Sequence, residues 1–167
     1  AMVVIDVSQS LSASEFDDAK QAASNFVTHL NFSTDRVGLI SFAGYAYLKS
    51  PLTNNGAYVQ SNILSLATDS GTRFHPPLDL ARSNMTQTAS NTLPLLLLLS
   101  DGRVGTATGS GTSEEKETNR VLALEAAVAV KDAGIRLITV AYGTNGGVNN
   151  GTNLMKTFAS SPNDFYY

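Results

Sequence analysis

Along this chain, short unbroken apolar runs alternate with stretches whose apolar residues recur at helical intervals. Met2 to Ile5 is a β-branched run that stops at polar Asp6 and reads as a first strand. From Ser14 to Leu30 the apolar positions are Phe16, Ala19, Ala23, Phe26, Val27 and Leu30, a helical spacing. Ser12 or Ser14 suits the cap of that helix, and Glu15, Asp17 and Asp18 suit the positive end of its dipole. Arg36 to Phe42 predicts a second strand and Ala46 to Lys49 a third. Their link, Ala43-Gly44-Tyr45, is short enough for a hairpin, so these two strands should run antiparallel.

Tyr58 to Leu66 predicts a short helix, and Pro76-Pro77 can open another that continues through Leu78, Leu80, Ala81 and Met85. Leu93 to Leu99 is apolar at every position but Pro94, as expected of a strand covered on both faces at the centre of a sheet. Gly102 to Thr112 is rich in Gly, Ser and Thr and reads as a mobile loop. Ser113 is placed to cap a long helix through Val121, Leu124, Ala127, Val128 and Lys131, and Gly134 to end it. Ile135 to Ala141 follows as a buried strand, Gly143 to Gly151 as loop, Leu154 to Ala159 as a short helix, and Phe165 to Tyr167 as the start of a last strand. This alternation predicts an α/β fold of three layers: a Rossmann-like, open, mostly parallel sheet with one antiparallel edge strand and helices on both faces. Right-handed crossovers gather the loops after the strand ends on one edge, where ligands of such folds sit. With no repeat or linker, residues 1–167 read as one domain, a length that suits one core.

Composition narrows the function. A net charge of −3 with 11 Lys and Arg, unclustered, argues against nucleic-acid binding. The longest apolar run, Leu95 to Leu99, is far too short to cross a membrane, and Ala1 to Ile5 lacks the basic lead of a signal peptide. With no cysteine, disulfides, thiolate metal sites and cysteine nucleophiles are excluded. Sequons at Asn31, Asn84 and Asn150 count slightly towards an extracellular or cell-surface setting.

Three polar segments interrupt the pattern on the predicted ligand edge. Asp6-Val7-Ser8-Gln9-Ser10 follows the first strand and offers a carboxylate and two hydroxyls at alternate positions. Ser70-Gly71-Thr72 leads towards the helix near Pro76, and Ser100-Asp101-Gly102 ends the leucine-rich strand. Oxygen-only donors of this kind suit Mg²⁺, with Mn²⁺ or Ca²⁺ as alternatives, and do not suit zinc. Any one segment alone reads more readily as ordinary capping and turn chemistry. Their joint placement on one edge is what makes them a site.

Here the sequence resembles the von Willebrand factor A family, which includes the integrin inserted domains. That family's metal-ion-dependent adhesion site is written D-x-S-x-S, a distant Thr, and a distant Asp usually followed by Gly. Asp6, Ser8 and Ser10 match the first element, Thr72 the second, with Leu78 as the aliphatic residue that commonly follows it, and Asp101 the third. Gln9 stands where many members have Gly. The resemblance implies a non-enzymatic adhesion or protein-binding module, monomeric as an isolated domain, that captures a partner's carboxylate through a bound cation. Gln9, Arg73, Phe74, His75 and Arg103 are its candidate partner contacts, with Arg73 and Arg103 placed to attract an acidic ligand. No counterpart of the family's C-terminal helix follows the last strand, so a fragment of a larger protein is expected. Two other functions compete. The same fold can serve as a scaffold subunit of an intracellular complex. A Mg²⁺-dependent phosphohydrolase of the haloacid-dehalogenase type would need a second carboxylate where Ser8 stands.

Overall fold

In the first strand, successive side chains go to opposite faces of the sheet, and both faces are covered. Met2 and Val4 enter one apolar cluster while Val3 and Ile5 enter the other. The computed structural model describes residues 1–86, 92–143 and 150–167. Six strands, β1 (Met2–Asp6), β2 (Val37–Phe42), β3 (Ala46–Thr53), β4 (Leu95–Ser100), β5 (Arg136–Ala141) and β6 (Phe165–Tyr166), form one sheet in the order β3-β2-β1-β4-β5-β6. Every pairing is parallel except β2 with β3, the antiparallel edge hairpin that the short link predicts. The fold is thus the expected three-layer α/β arrangement.

Helices α1 (Ala13–Thr28) and α2 (Gly56–Leu64) cover one face, packing Phe16, Val27, Val59 and Ile63 against Val3, Ile5, Leu97 and Leu99. Helices α3 (His75–Met85), α4 (Ser113–Asp132) and α5 (Asn150–Phe158) cover the other, where Leu78, Ala127 and Phe158 meet Met2, Val4, Leu96 and Leu98. The all-leucine run of β4 is explained by this: it lies between β1 and β5, and its odd and even positions serve different cores.

Several expectations change in detail. The third strand continues past Lys49 to Thr53, because at the sheet edge Pro51 has no ladder partner to deprive of an N–H. The long helix α4 is capped by Thr112 and not by Ser113. Thr112 Oγ1 accepts from Glu115 N at 3.1 Å and Glu115 Oε2 accepts from Thr112 N at 2.8 Å, a reciprocal pair that needs Glu three residues on. From Ser113 the third residue is Lys116, which cannot accept. The loop from Gly102 to Thr112 is also pinned to the body of the protein: Thr72 N donates to Thr106 O at 3.0 Å, Gly105 N to Thr72 O at 2.9 Å, and Asn119 Nδ2 to Gly105 O at 2.9 Å. Of the loop expected from Gly143 to Gly151, residues 144–149 lie outside the described residues, as does the Asn150 side chain, while Asn150 and Gly151 belong to α5, which begins four residues before the expected Leu154.

Candidate functional site

β1 and β4 are neighbours, yet the chain leaves them in opposite directions, towards α1 on one face and α4 on the other. Such a switch point opens a crevice at the strand ends. Asp6, the last residue of β1, is fully buried there. Its Oδ1 accepts from Ser8 N at 2.8 Å, and its Oδ2 accepts from the hydroxyl of Ser100, the last residue of β4. Burial pushes the Asp6 carboxyl up to about 7; the Ser100 and Ser8 hydrogen bonds oppose the rise and the Asp101 charge adds to it.

Ser8 and Ser10 continue outward from this carboxylate. Ser10 Oγ donates to Asp101 Oδ2 at 2.8 Å, and the two serine hydroxyls lie 2.9 Å apart. The other Asp101 oxygen accepts from Arg103 N at 2.9 Å, fixing the carboxylate over the turn. Gly102 makes that turn with φ +75°, a conformation that L side chains rarely adopt.

Thr72 approaches from the third loop. It is buried, and it lines a cleft of about 280 Å³ whose wall also includes Ser8, Gln9, Ser10, Gly71 and Gly105. Backbone bonds hold the segments together: Asp69 N donates to Val7 O at 2.7 Å and Gln9 N to Asp69 O at 3.0 Å. Gly71 has φ +83°, and a Cβ there would stand 2.4 Å from Thr106 O, so the close approach of the two loops requires glycine. The five residues anticipated from sequence therefore converge. Asp6, Ser8, Ser10, Ser100 and Asp101 form one hydrogen-bonded system, and Thr72 shares its cleft.

Among the described residues no group of three or more His, Cys, Asp or Glu side chains could hold a metal ion. A cation at this edge would be held by the mixed set of two carboxylates and three hydroxyls, and that donor chemistry fits a hard cation.

The expected partner contacts divide. Gln9 is exposed on the cleft wall, and Arg103 is exposed with Nε 3.6 Å from Asp101 Oδ2. Arg73 is half-buried, its Nε donating to Gly44 O at 2.7 Å and its guanidinium 5.1 Å from the Tyr45 ring centre, so the β2–β3 hairpin holds it. His75 is half-buried at the start of α3, where desolvation and the Arg73 charge lower its pKa. Phe74 is a correction. It is fully buried, its ring centre 5.3 Å from that of Phe42 and 5.5 Å from that of Phe158, and it belongs to the core. Sequence adjacency to Thr72 suggested a site residue; the start of α3 turns the ring inward.

Two residues escaped sequence reading. Ser100 was visible only as part of the Ser-Asp-Gly turn, with nothing to show that its hydroxyl bonds Asp6. Tyr142 follows β5, and its buried hydroxyl has no hydrogen-bond partner among the described residues. Burial raises its pKa well above the ordinary value, and the charges of Asp6, Asp101 and Glu15 add to the rise. A single tyrosine after a strand carries no sequence signal of that setting.

A family model for the von Willebrand factor type A domain matches residues 2–167. A UPF0353 protein of Mycolicibacterium paratuberculosis is 31% identical over an alignment of 156 residues that covers 87% of this chain and 45% of that relative, so the chain spans less than half of the relative's length. Among solved structures, the conserved hypothetical protein BatB of Bacteroides thetaiotaomicron aligns with a TM-score of 0.76 at 19% identity, over 99% of this chain and 87% of that one. The vWF domain of the type V pili tip protein Mfa5 of Porphyromonas gingivalis aligns with a TM-score of 0.82 at 16% identity, again over 99% and 87%. At these identities the two structures speak to the fold.

Proposed function

Since this chain belongs to the von Willebrand factor type A domain family, we propose that it is a divalent-cation-dependent protein-binding module acting at a cell surface or outside the cell. Asp6, Ser8, Ser10, Thr72 and Asp101 are the residues that would hold the cation, Mg²⁺ in the first instance, with Mn²⁺ or Ca²⁺ as alternatives. The observation that carries this reading is the run of hydrogen bonds from Asp6 through Ser8 and Ser10 to Asp101, beside the Thr72 cleft. Neutral hydroxyls would leave most of the charge of a bound cation available, and that cation would supply an electrostatic contact for a partner's Asp or Glu carboxylate. The chain's own residues do the rest. Ser100 and Ser8 N orient the Asp6 carboxylate, Arg103 N orients that of Asp101, and the Gly71–Thr106 contact holds the third loop in register. The likeness of fold to the vWF domain of a pili tip protein supports an adhesive role and surface placement. A protein-binding role also accounts for a site that has carboxylates and hydroxyls with no histidine among its five donors.

Titration calorimetry of Mg²⁺ and Mn²⁺ into the wild type and Asp101→Ala tests the reading. Loss of a single outer-shell partner typically weakens metal binding by about 10–100-fold. Removal of a donor should do at least as much, so wild type binds and Asp101→Ala loses about tenfold or more. Equal affinity in both proteins would remove the site as described.

A further inference from the structure

Beside the cation cleft lies a second one of about 510 Å³, formed by the start of the β4–α4 loop, the first half of α4 and the start of α5. The two share a wall, since Arg103, Val104 and Lys116 line both. In the second cleft Lys116 and Arg120 stand against one lining carboxylate, Glu117, in a protein whose net charge is −3, while Arg103, which also lines it, is paired with Asp101 at 3.6 Å. Lys116 and Arg120 are one helical turn apart on α4 and so project from the same face. Glu117 only partly offsets them: its contact with Arg120 is 3.3 Å long and the two side chains are 64% and 48% exposed. An ion pair that exposed contributes little and exchanges readily for another carboxylate. Val104 and Leu154 give the cleft an apolar floor.

We infer that this cleft is a second, anion-selective subsite, and that the partner is an extended acidic polypeptide segment carrying two carboxylates, one for each cleft. The inference rests on the cation-binding reading for the first carboxylate and on charge complementarity for the second. Lys116 and Arg120 are then specificity-determining residues: neither belongs to the hydrogen-bonded donor system of Asp6, Ser8, Ser10 and Asp101, and Arg120 lines the second cleft alone. The shared wall also sets the scale. The two carboxylates must be close in sequence, because an extended segment advances about 3.3 Å per residue.

The test uses isotopically labelled chain and end-blocked Gly/Ser peptides that carry one glutamate, or two separated by one, two or three residues. Amide shifts are followed by NMR in Mg²⁺ and in EDTA. In Mg²⁺, at least one two-glutamate peptide should bind about threefold or more tightly than the one-glutamate peptide, a gain of the size expected for exposed charge pairs. The gain should shrink in high salt. Lys116→Glu/Arg120→Glu should abolish it, and Arg120→Gln, at a residue that lines only the second cleft, should reduce it with unchanged Mg²⁺ affinity and unchanged one-glutamate binding. Equal binding of all peptides in Mg²⁺, or a gain that survives both the double variant and Arg120→Gln, overturns the subsite while leaving the cation site intact. A gain that maps to Lys116 and Arg120 equally in EDTA supports the subsite and removes the cation reading instead. If no peptide perturbs the α4 amides, the subsite is overturned, and the Mg²⁺ titration alone decides the fate of the first cleft.

Discussion

Asp6 ties the chemistry of the site to pH more directly than any other residue. Its carboxyl sits at about 7 because burial removes it from water, with Asp101 adding to the effect. The sign follows from linkage. In the cation-free protein the folded state holds a proton that the unfolded chain releases at the usual carboxylate pH, so this group's contribution to stability falls as pH rises from about 4 to 7. Cation binding needs the ionised form. Apparent Mg²⁺ affinity should therefore fall as pH drops below about 7, by up to about tenfold per pH unit, and level off above it. Calorimetry at pH 5.5, 6.5 and 7.5, in buffers of different ionisation enthalpy, measures both the affinity and the proton released. An affinity flat across that range, with no proton release, would show that Asp6 is not among the donors.

Among the elements, α1 and α4 open the same way, and both openings are written in the chain. Ser12 caps α1 with Glu15 reciprocating, and Thr112 caps α4 with Glu115 reciprocating. A capping threonine replaced by alanine typically costs about 1 kcal/mol. Thr112→Ala should thus lower stability by about that amount in chemical denaturation, whereas Ser113→Ala should change little, and equal effects would contradict the cap. Ser113 is itself a good capping residue by type, so residue type alone puts the cap one position late; the glutamate three residues on is what selects Thr112. Other differences have different causes. The hairpin, the helices and the central leucine strand were legible because hydrophobic period and length determine them locally. The extension of β3 through Pro51 was not, since it depends on β3 being an edge, a property of the whole sheet. The pinning of the Gly102 to Thr112 region was hidden for the same reason: its bonds go to Thr72, remote in sequence. Asp6, Ser8, Ser10 and Asp101 stood out as polar breaks directly after apolar strands. Thr72 stood out as part of the polar Ser70-Gly71-Thr72 segment, and the family resemblance singled it out within that segment, whereas Tyr142 depends on a register between β4 and β5 that no local pattern encodes.

Across the molecule, the site exists only when the topology does. Asp6 leaves β1 for one face of the sheet, Asp101 leaves β4 for the other, and Thr72 arrives on the connection between α2 and α3. In the unfolded chain these donors are far apart, so a cation that needs all of them binds the native state alone. Binding of that kind stabilises by RT ln(1 + [L]/Kd), which is about 2.7 kcal/mol when the free cation is a hundredfold above Kd. For a protein of this size about 1 kcal/mol shifts Tm by roughly 2–4 °C. Saturating Mg²⁺ should then raise Tm by roughly 5–10 °C over EDTA, and Asp101→Ala, with Mg²⁺ bound about tenfold or more weakly, should lose about half of that shift or more while keeping the fold. The comparison with the variant separates site binding from the general effect of a divalent salt on an acidic protein, which would act on both chains alike. The same scan separates the two clefts. Arg120→Gln, at a residue that lines only the second cleft, should retain the full Mg²⁺ shift, because the donors it leaves untouched are those that bring β1, β4 and the α2–α3 connection to one point.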